Sequence, residues 1–252
     1  MQQFTNDKLS VKRFESRDEM GRTAAADVSA VVRQLLERKS TVSMIFAAAP
    51  SQDDFLKYFS TDSEIDFSRI HAFHMDEYIG LDKDAPQGFG NYLKQHIFGK
   101  CPFRSVHYLS GQNPDPEAEC RRYASVLPRE GVDIVCLGIG ENGHIAFNDP
   151  QNADLRDSQV VKVVKLDAVC RQQQVNDGCF QSLDEVPKMA MTLTVPTLRN
   201  AAYHFCIVPT ERKAKAVYKM LHGAISADCP ASVLRAAPHA VLYLDAESAS
   251  LL

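Results

Sequence analysis

Residues 41–50 read TVSMIFAAAP, and this stretch decides the architecture of the chain. The run from Val42 to Ala48 is short and apolar except for Ser43, which is typical of a strand covered on both faces. The cluster from Pro50 to Asp54 has residue types that begin helices, and apolar residues then recur at helical spacing from Phe55 to Phe59. The sequence therefore predicts a buried strand, a loop and a helix in direct succession.

The same alternation continues outward in both directions. Before this stretch, apolar residues at intervals of three and four predict a helix from Asp18 to Lys39. Beyond it, strands are predicted at Ile70–Met75, Val106–Leu109, Ile134–Leu137, Tyr203–Val208 and Ala240–Leu244, and helices at Tyr92–Ile97, Pro116–Leu127 and Glu211–Leu221. Because a helix is the usual crossover between parallel strands, we expect a doubly wound, mostly parallel α/β sheet with helices on both faces, a Rossmann-like three-layer sandwich. No internal repeat or linker interrupts the pattern, so the expectation is a single domain over residues 1–252.

Composition limits the partners of this chain. The 252 residues carry a net charge of −4, which provides no basic stripe for nucleic acid or an anionic membrane. No signal-peptide core or membrane-span pattern is present, and we expect a cytoplasmic protein. The seven cysteines include no CxxC pair and have no histidine at metal-ligand spacing, so reduced thiols and no metal are expected. The sequence leaves open whether the chain forms a homo-oligomer.

Ligands of doubly wound sheets bind beyond the carboxyl ends of the strands. The segments that follow Ala48, Met75, Leu137 and Val208 should therefore converge on one site. The four segments are also where polar and glycine residues cluster in this chain.

The third of these segments, Gly138–Pro150, reads GIGENGHIAFNDP. Its glycines match the spacing of a dinucleotide loop, but Pro150 follows closely where that loop would open a long helix, and strands already precede it. We therefore expect no nicotinamide or other cofactor. Instead, we expect glycines such as Gly138 to let the backbone approach a small ligand closely.

Polar residues are dense within this turn. His144 has the carboxylate of Asp149 five residues on, with Asn142 beside it. A carboxylate can hold a histidine in one tautomer, and the histidine can then move a proton near neutral pH. The alternative is that His144 only caps the turn.

Asp76 and Glu77 end the strand predicted at Ile70–Met75 and stand between aromatic residues. A carboxylate at such an edge, shielded by apolar surroundings, acquires the raised pKa that a carbon-acid base needs. The alternative is that Asp76 caps the following turn. Glu77 is expected to support the site or an interface rather than to react.

The helix starts after Ala48 and Val208 are candidate anion sites, because free N–H groups there favour phosphate. Lys213 lies in the first turn of the second helix, where a cation is mildly disfavoured, so an anionic ligand would explain it. The alternative is a solvated lysine beside Glu211.

Taken together, FHMDEYIGL (Phe73–Leu81) and GIGENGHIAFNDP resemble the MDEY and GxGxxGHIAFNEP motifs of the glucosamine-6-phosphate deaminase/isomerase family, which converts glucosamine 6-phosphate to fructose 6-phosphate and ammonia. The likeness runs over nearly the whole chain. It implies that Asp76 moves the proton between C2 and C1, and that His144, helped by Asn142 and Asp149, opens the sugar ring. It also implies a sugar-phosphate partner held by Lys213, with Ser51 at a second phosphate loop.

The chain departs from the family pattern at three positions. Asp149 stands where members usually carry Glu, which shortens its reach. AAAPSQ replaces the TGxTP phosphate loop, and Gly178 replaces a phosphate-binding arginine, for which Arg171 is a candidate substitute. These changes suggest a shifted substrate such as galactosamine 6-phosphate, or isomerisation without deamination. They leave two other functions open, a lactonase like the related 6-phosphogluconolactonases and a non-catalytic sugar-phosphate sensor.

Overall fold

The computed structural model describes residues 1–252, and its centre is an eight-stranded sheet. The strands in chain order are β1 (Gln2–Asn6), β2 (Leu9–Arg13), β3 (Val42–Phe46), β4 (Ile70–His74), β5 (Asp76–Tyr78), β6 (Ser105–His107), β7 (Ile134–Leu137), β8 (Val161–Lys165), β9 (Met189–Leu193), β10 (Tyr203–Val208) and β11 (Ala240–Leu244). The large sheet has the order β1-β2-β11-β10-β7-β3-β4-β6. Only the β1–β2 pair is antiparallel, so the sheet is mostly parallel as predicted.

Helices cover both faces of this sheet. They are α1 (Arg17–Leu36), α2 (Asp53–Ser60), α3 (Phe89–Leu93), α4 (Pro116–Val126), α5 (Ala168–Asn176), α6 (Val195–Arg199) and α7 (Ala214–His222). Short 3-10 turns precede α2 and α7 at Pro50–Gln52 and Glu211–Lys213, and a π turn extends α3 over Lys94–Phe98.

Successive residues of each central strand enter opposite cores, because strand side chains alternate between faces. Along β3, Met44 and Phe46 join the cluster that contains the side chains of α1 and α2, whereas Ile45 joins the cluster under α4 and α7. The two clusters are nearly equal in size, with 35 and 36 buried residues. A strand apolar on both faces is therefore the feature that TVSMIF encodes, and the three-layer prediction is confirmed.

A second sheet of three antiparallel strands, in the order β5-β9-β8, lies outside the predicted alternation. Asp76 and Glu77 belong to its strand β5 rather than to the end of β4. The N-terminal hairpin of β1 and β2 was not predicted either, and β2 extends the large sheet beside β11.

None of the helices combines the length and the apolar character that crossing a membrane requires.

Candidate active site

A cavity that is open to solvent lies at the carboxyl edge of the large sheet. The segments after β3, β4, β7 and β10 all line it, which is the convergence that the strand order predicts. Its walls include Ser51, Asp76, Gly138, His144 and Lys213.

The His144 ring lies directly on the backbone of Gly140. A Cβ built on Gly140 would come within 2.1 Å of that ring, so any larger residue there would displace it. The Gly140 N–H donates to the carbonyl oxygen of His144 at 2.9 Å and closes the turn. Asn148 ties the same turn to β9, because its side-chain amide donates to the Leu193 carbonyl at 2.8 Å. The turn after β7 is thus a rigid mount for one imidazole.

Two acceptors fix the tautomer of His144. Its Nδ1 lies 2.8 Å from Asn142 Oδ1 and 3.0 Å from Asp149 Oδ1. Asn142 Nδ2 donates to the same Asp149 oxygen at 3.0 Å, and Asn142 Oδ1 also accepts from the His144 backbone N–H. Because both neighbours of Nδ1 are acceptors, Nδ1 carries the proton in the neutral ring and Nε2 is left as the base. Nε2 makes no hydrogen bond within the protein, and His144 lines the cavity.

Asp149 is fully buried beneath this histidine. Burial favours its neutral form, but the hydrogen bond and charge of His144 and the bond from Asn142 outweigh that effect and hold the pKa of Asp149 below its ordinary value. The shorter side chain of aspartate therefore still reaches its partners here. Asp149 Oδ2 is buried without a hydrogen-bond partner. Ligand atoms of His144, Asp149 and Cys170 lie within 4.8 Å of one another, so these three buried residues, of which only His144 lines the cavity, are the group that could hold a metal ion.

Asp76, on β5, lines the cavity with a carboxylate that has no hydrogen-bond partner. It is 6% exposed and makes no side-chain hydrogen bond. Burial, and then the neighbouring Glu77 carboxylate, raises the pKa of Asp76 well above its ordinary value. The alternative that Asp76 caps a turn is wrong, because its carboxylate accepts no backbone N–H. A buried, unpaired carboxylate of raised basicity can take a proton from carbon.

Glu77 points away from this cavity and anchors the fold. Its carboxylate accepts the backbone N–H groups of Tyr78 and Phe89 at 2.9 Å and 3.0 Å, and that of Gly90 at 2.8 Å. Burial raises the pKa of Glu77, while these three N–H groups oppose the shift. Glu77 therefore joins β5 to the start of α3, the supporting role that the sequence predicts.

Lys213 is a buried residue of the cavity wall. It is 5% exposed and has no hydrogen-bond or ion-pair partner, so the alternative of a solvated lysine beside Glu211 is wrong. Burial lowers the pKa of Lys213, and the charges of Asp177 and Glu141 oppose that shift. A buried ammonium that faces a cavity without a partner is suited to bind an anion.

The AAAPSQ loop brings Ser51 to the same region. Gln52 is buried and donates through Nε2 to the Ile207 carbonyl and to Ser51 Oγ, both at 3.1 Å. Because Ser51 Oγ already accepts a bond, its hydroxyl proton is free to donate to a ligand. Ser51 Oγ lies 3.3 Å from where a Cβ on Gly138 would be, so the serine and the Gly138 backbone are neighbours.

Arg171 does not replace the arginine missing at Gly178. Its guanidinium donates to the backbone carbonyls of Leu183 and Val186, which holds the loop before β9, and it does not line the cavity. Gly178 has a φ of +77° and likewise lies outside the cavity.

Sequence reasoning missed four polar cavity residues that come from two helices. Gln173, Gln174 and Asp177 come from α5 and its end, and Arg17 comes from the start of α1. Neither element follows one of the four strand ends used to locate the site. The clustered glutamines at 172–174 are the one signal in the sequence that could have indicated α5.

Chemically, the cavity combines a base, an acid/base and a cation. Asp76 supplies a basic carboxylate, His144 supplies an imidazole with a fixed tautomer, and Lys213 supplies an unpaired ammonium. The arrangement can transfer protons on a small molecule that carries an anionic group.

Comparison with known sequences gives a consistent result. The profile of the glucosamine-6-phosphate isomerases/6-phosphogluconolactonase family matches residues 15–243. The chain is 33% identical over 220 residues to a glucosamine-6-phosphate deaminase of an Exiguobacterium species, a match that spans 87% of this chain and 84% of that protein. It is 30% identical over 240 residues to the glucosamine-6-phosphate deaminase of Clostridium acetobutylicum, across 93% of this chain and 96% of that protein.

Solved structures agree with the sequence comparison. A monomeric glucosamine-6-phosphate deaminase superposes with a TM-score of 0.87 at 29% identity, covering 96% of this chain and 99% of that one. The 6-phosphogluconolactonase of Thermotoga maritima superposes with a TM-score of 0.77 at 18% identity over 94% of this chain and 100% of that one, which shows a shared fold. With its mostly parallel sheet, its GHIAFN turn and a profile match over residues 15–243, the chain belongs to the glucosamine-6-phosphate isomerase/6-phosphogluconolactonase family.

Proposed function

We propose that this protein is a glucosamine-6-phosphate deaminase, which converts glucosamine 6-phosphate and water to fructose 6-phosphate and ammonia. The observation that carries the proposal is that the buried, unpaired Asp76 carboxylate shares one cavity with Lys213 and with His144, whose Nδ1 is held by Asn142 and Asp149. Relatives of that name at 30% and 33% identity support it.

Ring opening is the first step of the proposed mechanism. Protonated His144 donates its Nε2 proton to the ring oxygen while the hydroxyl proton at C1 passes to solvent water, which gives the open-chain aldehyde. Asp149 and Asn142 keep His144 Nδ1 bonded in both protonation states, so the imidazole does not rotate as its charge changes. These two residues therefore orient His144 and stabilise its cation.

Proton transfer between carbons is the second step. Asp76 removes the proton from C2 while the aldehyde oxygen takes up a proton from solvent, which gives an enolamine. Asp76 then returns its proton to C1 while the amine loses one to solvent, which gives the imine of the ketose. Water adds to this imine, ammonia leaves, and fructose 6-phosphate remains. The raised pKa of Asp76 suits this step, because a stronger base removes a carbon-bound proton more readily.

The phosphate group is proposed to bind Lys213, the Ser51 hydroxyl and the backbone at Gly138. These three line the cavity together and have complementary donors. No cofactor takes part in the mechanism. A cytoplasmic location, a domain that spans residues 1–252 and the choice between monomer and homo-oligomer stay predictions.

The test is product formation by the purified protein. Incubation with glucosamine 6-phosphate should release ammonia and fructose 6-phosphate in equal amounts. Asp76→Asn and His144→Ala should each abolish deamination, and Glu141→Gln, at the same turn, should retain it. Formation of a ketose amine without ammonia would point to isomerisation alone.

The same variants separate a lactonase from a deaminase. Hydrolysis of 6-phosphogluconolactone that is lost in His144→Ala but kept in Asp76→Asn would replace the deaminase proposal. No turnover of glucosamine 6-phosphate or galactosamine 6-phosphate would overturn it. Galactosamine 6-phosphate as the better substrate would keep the chemistry and change the sugar.

A further inference from the structure

A second cation, Arg17, lines the cavity together with Lys213 and Ser51. It comes from the first residue of α1, which no step of the proposed mechanism uses. Arg17 and Lys213 are the two cationic side chains of a cavity that is also lined by the carboxylates of Asp76 and Asp177. They indicate that the cavity accepts an anion with more than one oxygen to bind.

Packing of α1 against α2 sets the position of Arg17. Ser16 caps α1 by accepting the Glu19 N–H, so the helix begins at Arg17 itself. One turn on, a Cβ built on Gly21 would lie 2.5 Å from Asp54 Cβ, so only glycine allows the two helices to approach this closely. The approach brings the Arg17 side chain to the start of α2, beside the loop that carries Ser51.

Two of the three guanidinium nitrogens are already bonded. Nε donates to Asp54 Oδ2, and Nη2 donates to the Pro50 carbonyl oxygen. Nη1 makes no hydrogen bond, and the side chain is 36% exposed. The guanidinium is therefore fixed in orientation while one edge stays available, which is the form in which arginine binds phosphate oxygens.

We propose that Arg17 binds the phosphate group of the substrate, as the cation that complements Lys213. This inference rests on the proposed sugar-phosphate chemistry. Lys213 offers a point charge from the turn after β10. Arg17 offers a planar guanidinium from the start of α1, beside the loop that carries Ser51. Together they hold a dianion from two sides, and they favour phosphorylated over neutral sugars.

The simpler explanation is that Arg17 only pairs with Asp54 and ties α1 to the Pro50 carbonyl. Two substitutions separate the explanations. Arg17→Ala removes both roles, whereas Asp54→Asn removes the ion pair and leaves the guanidinium in place. If Arg17 binds phosphate, the two variants should differ in the direction of their effect.

The experiment measures KM for glucosamine 6-phosphate and the inhibition constant of inorganic phosphate. Arg17→Ala should raise both constants about tenfold or more, because a charge-assisted bond to phosphate is lost, and should change kcat far less. Arg17→Lys should recover part of the affinity. Asp54→Asn should keep or lower both constants, since the guanidinium is freed from a competing carboxylate. Arg22→Ala, on the same helix but outside the cavity, is the matched control and should match the wild type.

The outcomes that overturn the inference are specific. An inhibition constant for phosphate within twofold of the wild type in Arg17→Ala would do so, and so would an equal loss of affinity in Asp54→Asn. Circular dichroism checks the folding of each variant, and Arg17→Lys carries the test if Arg17→Ala unfolds. Stabilisation by inorganic phosphate in thermal denaturation reports on Arg17 even if the wild type fails to turn over any hexosamine phosphate. A wild type that phosphate neither inhibits nor stabilises would also refute the proposal.

Discussion

Asp76 shows most directly how a single residue trades stability for chemistry. Its carboxylate is buried without a hydrogen bond, so the folded state resists its ionisation. Asp76→Asn should therefore abolish deamination and stabilise the protein at neutral pH by at least about 1 kcal/mol, the scale of one pKa unit. Thermal denaturation and an ammonia assay measure the two effects.

The pH dependence of this effect has a definite sign. The folded-state pKa of Asp76 is raised, so the cost to stability begins above the ordinary carboxyl pKa and is complete above the folded pKa. The gain from Asp76→Asn should thus grow between pH 4 and pH 8. A substitution that lowers the melting temperature at pH 8 would contradict this account.

Asp149 is the opposite case, a buried carboxylate that is fully committed to partners. Asp149→Asn removes the charge that stabilises the His144 cation and should lower kcat about 100-fold. The pKa of Asp149 is lowered by folding, so its contribution to stability is present above the ordinary carboxyl pKa and is lost as pH falls through the folded pKa. Steady-state rates at pH 7 and acid denaturation check both parts. Asp157→Asn, at a part-buried ion pair with Lys162 outside the cavity, is the control, and an equal loss of kcat there would refute the assignment.

At this scale the sequence predicts short-range contacts well. His144 and Asp149 lie on one turn, so their spacing alone implied that they meet. Arg17 and Arg171 show the limit of such predictions. Arg17 reaches the cavity because α1 packs closely on α2, whereas Arg171 is held by backbone carbonyls of the loop before β9. Long side chains far apart in sequence are placed by packing, which spacing does not encode.

The turn after β10 shows how an element aims a side chain. Thr210 has a φ of +80°, which is unfavourable for a β-branched residue, and Asp245 at the end of β11 accepts its N–H through both carboxylate oxygens. The turn so held leads directly into the 3-10 segment that carries Lys213. The strain at the site is therefore maintained by the neighbouring strand.

Asp245→Ala should release this turn. The backbone N–H groups of Thr210 and Ser248 would lose their acceptor, at a cost of about 1–3 kcal/mol for a buried donor. We expect a lower melting temperature and a several-fold higher KM for glucosamine 6-phosphate, with kcat less affected, because Lys213 shifts. Thr210→Gly, which removes the strain and keeps Asp245, should preserve KM. A raised KM in Thr210→Gly and an unchanged KM in Asp245→Ala would together reject this role.

Among the elements, the central strands were predictable and the small sheet was not. Strands β3, β7 and β10 are apolar runs, interrupted only by Ser43 and His204, because both faces are buried. Strand β8 reads VKVVK, which contains two lysines, and β9 reads MAMTL, which has a single β-branched residue. Their pairing with β5 comes from tertiary contacts, and it is this pairing that turns Asp76 into the cavity.

At the scale of the whole molecule, the cavity is lined by loops and helices that belong to both faces of one sheet. The large cluster under α4 and α7 and the cluster under α1 and α2 are separated only by strands that contribute to both. Neither cluster can form without the strands that it shares with the other. We therefore expect residues 1–252 to unfold in one cooperative transition. A ligand bound where these segments meet should then stabilise the entire chain.

Denaturation with fructose 6-phosphate tests this expectation. Far-UV and near-UV circular dichroism should give coincident transitions, and a ligand concentration of 100 times Kd should stabilise the folded state by about 2.7 kcal/mol. The stabilisation should be absent in a variant that lacks Lys213, because the phosphate then loses a buried cation. Two separate transitions, with only one of them shifted by the ligand, would mean that the halves fold independently. In that case the cavity would be an interface between two domains, and Arg17 and Lys213 would meet across it only when both are folded.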